Sequence, residues 1–107
     1  ITLTAEIVDS SYVWVDENGL VNPTLNISSI MDTEITVKSL ENDSEEHELV
    51  IEEILSDGDR DEIIESAEIE EGSSDKINFQ PKQNYEKLEY YCEYHPETMR
   101  GNIQLIN

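Results

Sequence analysis

The 107-residue sequence predicts an all-β protein that folds as a β-sandwich. Short runs of β-branched and aromatic residues recur along the chain, and many alternate between apolar and polar positions. Such alternation is typical of strands that have one face in a core and the other in solvent. Gly, Asn, Asp and Pro residues separate the runs, and no stretch has the spacing of a strong amphipathic helix. About eight short strands with turns between them favour two packed sheets.

The strands predicted in the first half of the chain follow from local composition. The first run alternates, the second is aromatic and β-branched, and the fourth is a clear strand. An Asn-Gly pair at 18–19 and an Asn-Pro pair at 22–23 indicate turns on either side of a short connection. The polar run 41–46 indicates a turn that leads into His47. The predicted strands cover residues 1–8, 12–15, 24–27, 34–40 and 47–53.

The second half of the chain is predicted in the same way, with one ambiguous segment. Residues 55–62 are predicted to form a charged loop. Residues 63–70 have a spacing that allows a short helix or an irregular strand, and we favour the strand. Turns are predicted at 72–74 and 81–84, where Gly, Ser, Pro and Asn cluster. The remaining predicted strands cover residues 75–80, 86–92 and 101–107.

The composition indicates one strongly acidic domain that spans residues 1–107. The net charge is −20, from 26 acidic and 6 basic residues, which argues against nucleic acid or an anionic membrane as a partner. The charge allows steering toward a basic docking face, but solubility is the simpler explanation because the acids are spread along the chain. No apolar run is long enough to span a bilayer. Since the chain begins at Ile1 without a methionine, we expect a trimmed or mature domain, and a lost leader or membrane anchor stays open.

Four residues carry the chemistry of this sequence. Cys92 is the only cysteine, His95 follows it by three residues, Met99 follows by four more, and His47 is the only other histidine. One thiolate, two imidazoles and a thioether are the ligands of a mononuclear type 1 copper site. Soft sulfur favours Cu(I) and imidazole also suits Cu(II), so this set serves a metal that changes charge by one electron. The sequence therefore predicts one copper ion.

Residues 90–101 (Tyr-Tyr-Cys-Glu-Tyr-His-Pro-Glu-Thr-Met-Arg-Gly) resemble the copper-binding loop of the cupredoxins, and the acidic character looks most like archaeal members. The segment around His47, 45 residues before Cys92, is similar to the family's first-histidine segment. The resemblance implies a Greek-key β-sandwich and a type 1 copper protein that carries electrons between larger redox enzymes. It also implies that His95 is the route for electrons and that the protein works outside the cytoplasm. We expect a monomer with a redox partner protein.

The loop departs from the best-known family patterns, which puts the axial ligand in question. Its spacing is C-x2-H-x3-M, whereas plastocyanin-type loops have C-x2-H-x4-M and amicyanin-type loops C-x2-H-x2-M. Met99 is therefore the provisional axial ligand, and the alternative is a methionine that fills a core gap beside the metal. Without it, copper would have an open position for nitric oxide or nitrite, which is the catalytic alternative. A copper carrier ranks last, because the chain has two methionines.

Two alternative roles for Cys92 do not involve copper. A free cysteine is often a buried core residue, and beside a histidine it is a possible nucleophile. The nucleophile would need an orienting partner and an oxyanion hole, and the loop sequence suggests neither. Zinc also accepts cysteine and histidine ligands, so the spectrum of the bound metal discriminates better than its presence. The sequence suggests that Asn42 or Ser44, which lie just upstream, orients the His47 imidazole through a hydrogen bond.

Overall fold

The computed structural model describes residues 1–82 and 84–106, and this part of the chain forms nine strands and no helix. The strands coincide with the runs of β-branched and aromatic residues, whose side chains suit a pleated, half-buried surface. The all-β prediction is confirmed. The strands are β1 (Thr2–Val8), β2 (Ser11–Val15), β3 (Leu25–Ser28), β4 (Thr33–Ser39), β5 (Leu49–Ile54), β6 (Arg60–Glu65), β7 (Ser74–Phe79), β8 (Lys87–Cys92) and β9 (Arg100–Ile106).

Two mixed sheets contain these strands. One sheet has the order β2-β1-β4-β7, and the other has the order β3-β9-β8-β5-β6. The pairs β1–β4 and β3–β9 are parallel, and the remaining pairs are antiparallel. Alternate side chains from both sheets meet in one buried cluster, as expected when two sheets pack face to face. The structure is therefore a β-sandwich with its core between the sheets.

Large aromatic side chains fill the centre of this core. Trp14, Phe79 and Tyr90 are each 0% exposed. Tyr90 lies on β8 opposite Gly101 of β9, and its hydroxyl donates a hydrogen bond to the carbonyl oxygen of Pro23 at 2.6 Å. A buried tyrosine normally satisfies its hydroxyl in this way. The bond ties the middle strand of the second sheet to the segment before β3.

The prediction for β6 is wrong at both ends. The strand begins inside the segment predicted as a loop and ends at Glu65 rather than at residue 70, which also excludes the short helix. The turn is shorter than predicted because Gly58 has a φ of 91°, a conformation that glycine adopts without strain. In addition, Arg60 forms an ion pair with Glu52 across the hairpin, which extends the pairing toward the turn.

The other strands agree with the predicted segments to within two residues at their ends. The prediction that His47 opens β5 is wrong, because that strand begins at Leu49 and His47 lies just before it. Two predicted elements include positions outside the described residues, namely Gln83 in the turn at 81–84 and Asn107 at the end of the last strand. In the described part of the chain, no helix has the length and apolar character needed to cross a membrane.

Candidate metal centre

Two neighbouring strands bring the predicted ligands to one end of the second sheet. Cys92 is the last residue of β8, and it lies opposite Leu49, the first residue of β5. Because β5 and β8 are antiparallel, the chain entering β5 and the chain leaving β8 run side by side. His47 lies on the first of these segments and His95 on the second. His47 and Cys92, which are 45 positions apart in the sequence, thus become neighbours.

Main-chain hydrogen bonds fix the loop that carries Cys92, His95 and Met99. The Cys92 amide donates to the Met99 carbonyl at 2.9 Å, and the Met99 amide donates to the His95 carbonyl at 3.0 Å. The His95 amide donates back to the Cys92 carbonyl at 3.1 Å. These three bonds close the loop through its own backbone and fix the positions from which the side chains of Cys92, His95 and Met99 project.

A separate set of backbone contacts holds His47. Its amide donates to the Ile69 carbonyl at 3.0 Å, and the Ile69 amide donates to the His47 carbonyl at 2.7 Å. The Glu93 amide donates to the Glu48 carbonyl at 3.0 Å, which joins the segment of His47 directly to the segment of Cys92 and His95. Ile69, which lies in the segment predicted as a strand, therefore fixes the backbone of His47 through two hydrogen bonds.

The donor atoms of the three side chains converge. Cys92 Sγ lies 3.8 Å from His47 Nδ1 and 3.7 Å from His95 Nδ1, and the three donors all lie within 4.8 Å of one another. A trigonal metal with bonds of about 2.05 Å to nitrogen and about 2.3 Å to sulfur needs nitrogen and sulfur about 3.8 Å apart. The measured separations fit that requirement. His47, Cys92 and His95 could therefore hold a metal ion.

Burial sets the protonation of these groups. It raises the pKa of the Cys92 thiol, and backbone hydrogen bonds from Glu48, Tyr94 and His95 oppose that effect. Burial and the neighbouring His47 lower the pKa of His95, which leaves its imidazole neutral at pH 7 with a lone pair for a metal. Metal binding must therefore displace the proton of the thiol.

The sequence missed the residue that supports His47. It suggested Asn42 or Ser44, whereas the structure places the buried carboxylate of Asp43 there, with Oδ2 2.7 Å from His47 Nε2. Burial would raise the pKa of Asp43, but hydrogen bonds from the Glu45 amide, Tyr12 and His47 lower it overall, so the carboxylate is ionised. The signal in the sequence was weak, because Asp43 is one of six polar residues in a row.

Tyr12 is the second residue that the sequence did not connect with the site. Its ring centroid lies 4.9 Å from that of His47 and 4.8 Å from that of His95. Its hydroxyl donates to Asp43 Oδ1 at 2.7 Å, and burial followed by this hydrogen bond raises the pKa of Tyr12 to about 12. One aromatic ring therefore packs against both imidazoles and is itself anchored to the carboxylate behind them.

Met99 is completely buried, and it belongs to the core cluster that also contains Cys92. Its main chain closes the ligand loop, as described above. Burial in this cluster is compatible both with an axial thioether and with a methionine that packs beside the metal. The axial role of Met99 stays a prediction.

His95 connects the buried cluster with the surface. Its side chain is 21% exposed, whereas that of His47 is 0% exposed. Two shallow surface depressions flank it, one on the side of Glu45 and Glu46 and the other on the side of Pro96. The His95 imidazole therefore has Nδ1 near Cys92 Sγ and part of its ring at the surface.

Comparisons with known proteins identify the fold. No family model and no curated protein sequence matches this chain. Among solved structures, the chain is similar to that of auracyanin B, a cupredoxin, with a TM-score of 0.70 and 12% sequence identity. The alignment covers 100% of this chain and 88% of the auracyanin B chain.

This protein therefore has the cupredoxin fold, and the predicted cupredoxin-like Greek-key β-sandwich is confirmed. At 12% sequence identity the similarity concerns the fold. That His47, Cys92 and His95 could hold a metal ion follows from their geometry. None of these observations favours the catalytic alternative with an open axial position. The archaeal resemblance stays a prediction from the sequence.

Proposed function

We propose that this chain, as one domain over residues 1–107, is a type 1 copper protein that carries single electrons between larger redox proteins. His47, Cys92 and His95 would be the equatorial ligands, and Met99 the axial ligand. The observation that carries the proposal is the convergence of one cysteine sulfur and two imidazole Nδ1 atoms at 3.7 and 3.8 Å in a cupredoxin fold. Bound copper would supply a centre that alternates between Cu(II) and Cu(I).

The protein's own contribution is a set of ligands that stays in place when the metal changes charge. The ligand loop is closed by its backbone, and the His47 segment is clamped by Ile69. Cys92 is 0% exposed, so little water surrounds the thiolate and little has to reorganise around it. A rigid, dry donor set of this kind suits fast electron exchange better than it suits binding a second reactant.

His95 would be the point where electrons enter and leave, and acidic residues surround it. Glu45 lies 3.9 Å from His95 Nε2, and Tyr94 donates a hydrogen bond to Glu68. Glu46 lies so close to Glu68 that a hydrogen bond between them raises the pKa of Glu46. A redox partner that docks here would need a basic face, and salt would weaken the encounter. We propose that the meeting takes place outside the cytoplasm and that the chain acts as a monomer.

The first experiment tests the metal. Metal-free protein titrated with Cu(II) should bind one equivalent and develop the intense visible absorption of thiolate-to-copper charge transfer. Cys92→Ser should remove that absorption, because the chain has no second cysteine. Ser74→Ala, an exposed substitution on β7, serves as the control and should leave the spectrum unchanged. A Cu(II) complex without the absorption, or tight zinc binding without it, would contradict the proposal.

The second experiment tests the axial ligand with a matched pair of variants. Met99→Leu should raise the reduction potential and shift the visible spectrum, because a weak donor to Cu(II) is lost. Met31→Leu is the control, since Met31 is 67% exposed. If both variants behave like the wild type and azide changes the spectrum of the wild-type protein, the axial position is open and Met99 serves packing alone.

The third experiment tests the docking face by charge reversal. Glu45→Lys, beside His95, should slow electron exchange with a basic partner such as a cationic cytochrome. Glu86→Lys changes the net charge equally, but it precedes β8 at the end opposite Cys92. It should have a much smaller effect. Equal effects of the two variants would mean that net charge, and not a face around His95, governs the encounter.

A further inference from the structure

Asp43 and His47 form a buried pair behind the proposed copper site. The His47 ring has Nδ1 toward Cys92 Sγ at 3.8 Å and Nε2 toward Asp43 Oδ2 at 2.7 Å. Side-chain exposures are 0% for His47 and 5% for Asp43. The two nitrogens of this imidazole therefore face different partners, one a candidate metal position and the other a carboxylate.

The carboxylate is held as firmly as the imidazole. Its Oδ1 accepts hydrogen bonds from the Tyr12 hydroxyl at 2.7 Å and from the Glu45 amide at 2.9 Å. Its Oδ2 accepts a longer bond from the Ser39 hydroxyl at 3.4 Å in addition to the contact with His47. Both oxygens are thus occupied by donors, and the group has little freedom to rotate.

Resting on the proposed function, we infer that Asp43 is a positioning residue that fixes the ring and the proton of His47 and lowers the reduction potential of the copper. A carboxylate accepts hydrogen bonds, so it requires the proton of His47 on Nε2 and leaves the lone pair on Nδ1, where the metal binds. Its buried negative charge stabilises Cu(II) more than Cu(I), because the oxidised ion carries one more positive charge. Carboxylates in this position also raise the basicity of a metal-bound histidine.

The first test needs no copper. In metal-free wild-type protein at pH 9, ¹⁵N-detected NMR of the histidine side chains should find the His47 proton on Nε2. Asp43→Asn, which keeps the shape and removes the charge, should produce a mixture of the two tautomers. A proton on Nδ1 of the wild-type His47 would overturn the inference, whatever the behaviour of the variant or of copper.

The second test measures the potential of the copper-loaded protein. Asp43→Asn should raise the ratio of Cu(I) to Cu(II) affinity at least tenfold, which corresponds to about 59 mV for one electron. Asp57→Asn is the control, because it removes the same charge from the exposed turn after β5, at the end of that strand farthest from Leu49. Equal potentials in the two variants would overturn the inference, even if Asp43→Asn lowers the stability.

If Asp43→Asn does not fold, Tyr12→Phe tests the role of Asp43 independently through the reduction potential. It removes a donor from the carboxylate, leaves more negative charge facing His47, and should move the potential downward while the Nε2 proton stays in place. A potential that rises or stays constant would contradict the assigned role. Failure of the wild-type protein to bind copper would instead refute the proposed function, and the tautomer measurement would still decide the role of Asp43.

Discussion

Gly101→Ala is expected to be one of the most destabilising single-methyl additions in this protein. Gly101 follows the ligand loop as the second residue of β9, and it lies opposite Tyr90. A β-carbon at this position would lie 2.6 Å from Cε1 of the Tyr90 ring and closer still to its Cζ and hydroxyl. Tyr90 is 0% exposed, so the ring cannot turn out into solvent.

The size of the effect follows from these contacts. Forcing extra volume into a well-packed core costs about 1–3 kcal/mol. Displacing the ring also breaks the 2.6 Å hydrogen bond from Tyr90 to the buried carbonyl of Pro23, and a buried acceptor left without its donor costs about 1–3 kcal/mol. We therefore expect Gly101→Ala to lower the free energy of unfolding by about 2–6 kcal/mol. That is a large part of the 5–15 kcal/mol that stabilises a typical domain.

Urea unfolding of the metal-free protein, followed by the fluorescence of its single tryptophan, Trp14, measures this loss. Tyr90→Phe alone should cost about 1–3 kcal/mol. The double variant should cost less than the sum, because the bond to Pro23 is lost once. Gly19→Ala is the control, since no atom lies within 4 Å of its β-carbon position and only its φ of 81° opposes the change. A Gly101→Ala loss within about 0.5 kcal/mol of the wild type would refute the packing argument.

Further predictions concern the ligand loop and the acidic surface. Arg100→Met should speed the loss of copper to a chelator about fivefold, because it removes about 1 kcal/mol of hydrogen bonding that holds the loop at Pro96. Arg60 contacts the same carboxylates without contacting the loop, so Arg60→Met should leave the rate unchanged. Burial first, and then neighbouring acids, raise the pKa values of Glu48 and Glu62 above 4.5, so these groups bind extra protons in the folded state. The lowered pKa of His95 has the opposite effect, so the rise in urea stability as pH falls from 7 to about 5 is expected for the metal-free His95→Gln variant. Below about pH 4 stability should fall again, because the pKa of Glu89 is lowered and its protonation breaks an ion pair. Added salt should raise the melting temperature at pH 7 by screening the acids, and a fall would contradict the repulsion argument.

The sequence was sufficient for the strands because each one is a local pattern. Alternation and turn residues mark a strand without any knowledge of its partners, so most strand ends were placed to within two residues. The failure at β6 has a nonlocal cause. Its start depends on Arg60 pairing with Glu52 across the hairpin, and its end depends on Ile69 leaving the sheet to pair with His47. Neither contact produces a periodic pattern of apolar and polar residues in the sequence.

The residues of the candidate site also divide into those that a local pattern indicates and those that only the folded structure brings together. Cys92 and His95 are tied by spacing within one loop, so the sequence pointed to them directly. His47 was selected because it is the only other histidine and was supported by the family resemblance, but its proximity to Cys92 results from the antiparallel pairing of β5 with β8. Asp43 and Tyr12 could not be selected, since a polar residue in a polar turn and an aromatic residue in a strand both have commoner explanations. Their role depends on three segments that meet only in the folded protein.

Arg60 and Arg100 together hold the loop between Cys92 and Met99 in place in this strongly acidic chain. The carboxylates of Glu52 and Glu89 are mostly buried, with side-chain exposures of 7% and 13%, and unpaired charges there would be costly. Both arginines converge on them, and the 2.8 Å bond from Arg100 to Glu89 leaves Arg100 Nε free to donate to the Pro96 carbonyl at 2.9 Å. Because Arg60 shares the neutralisation, Arg100 can serve the sheet and the loop at once. A lysine could not do so, since it offers a single nitrogen where a guanidinium offers a planar fork.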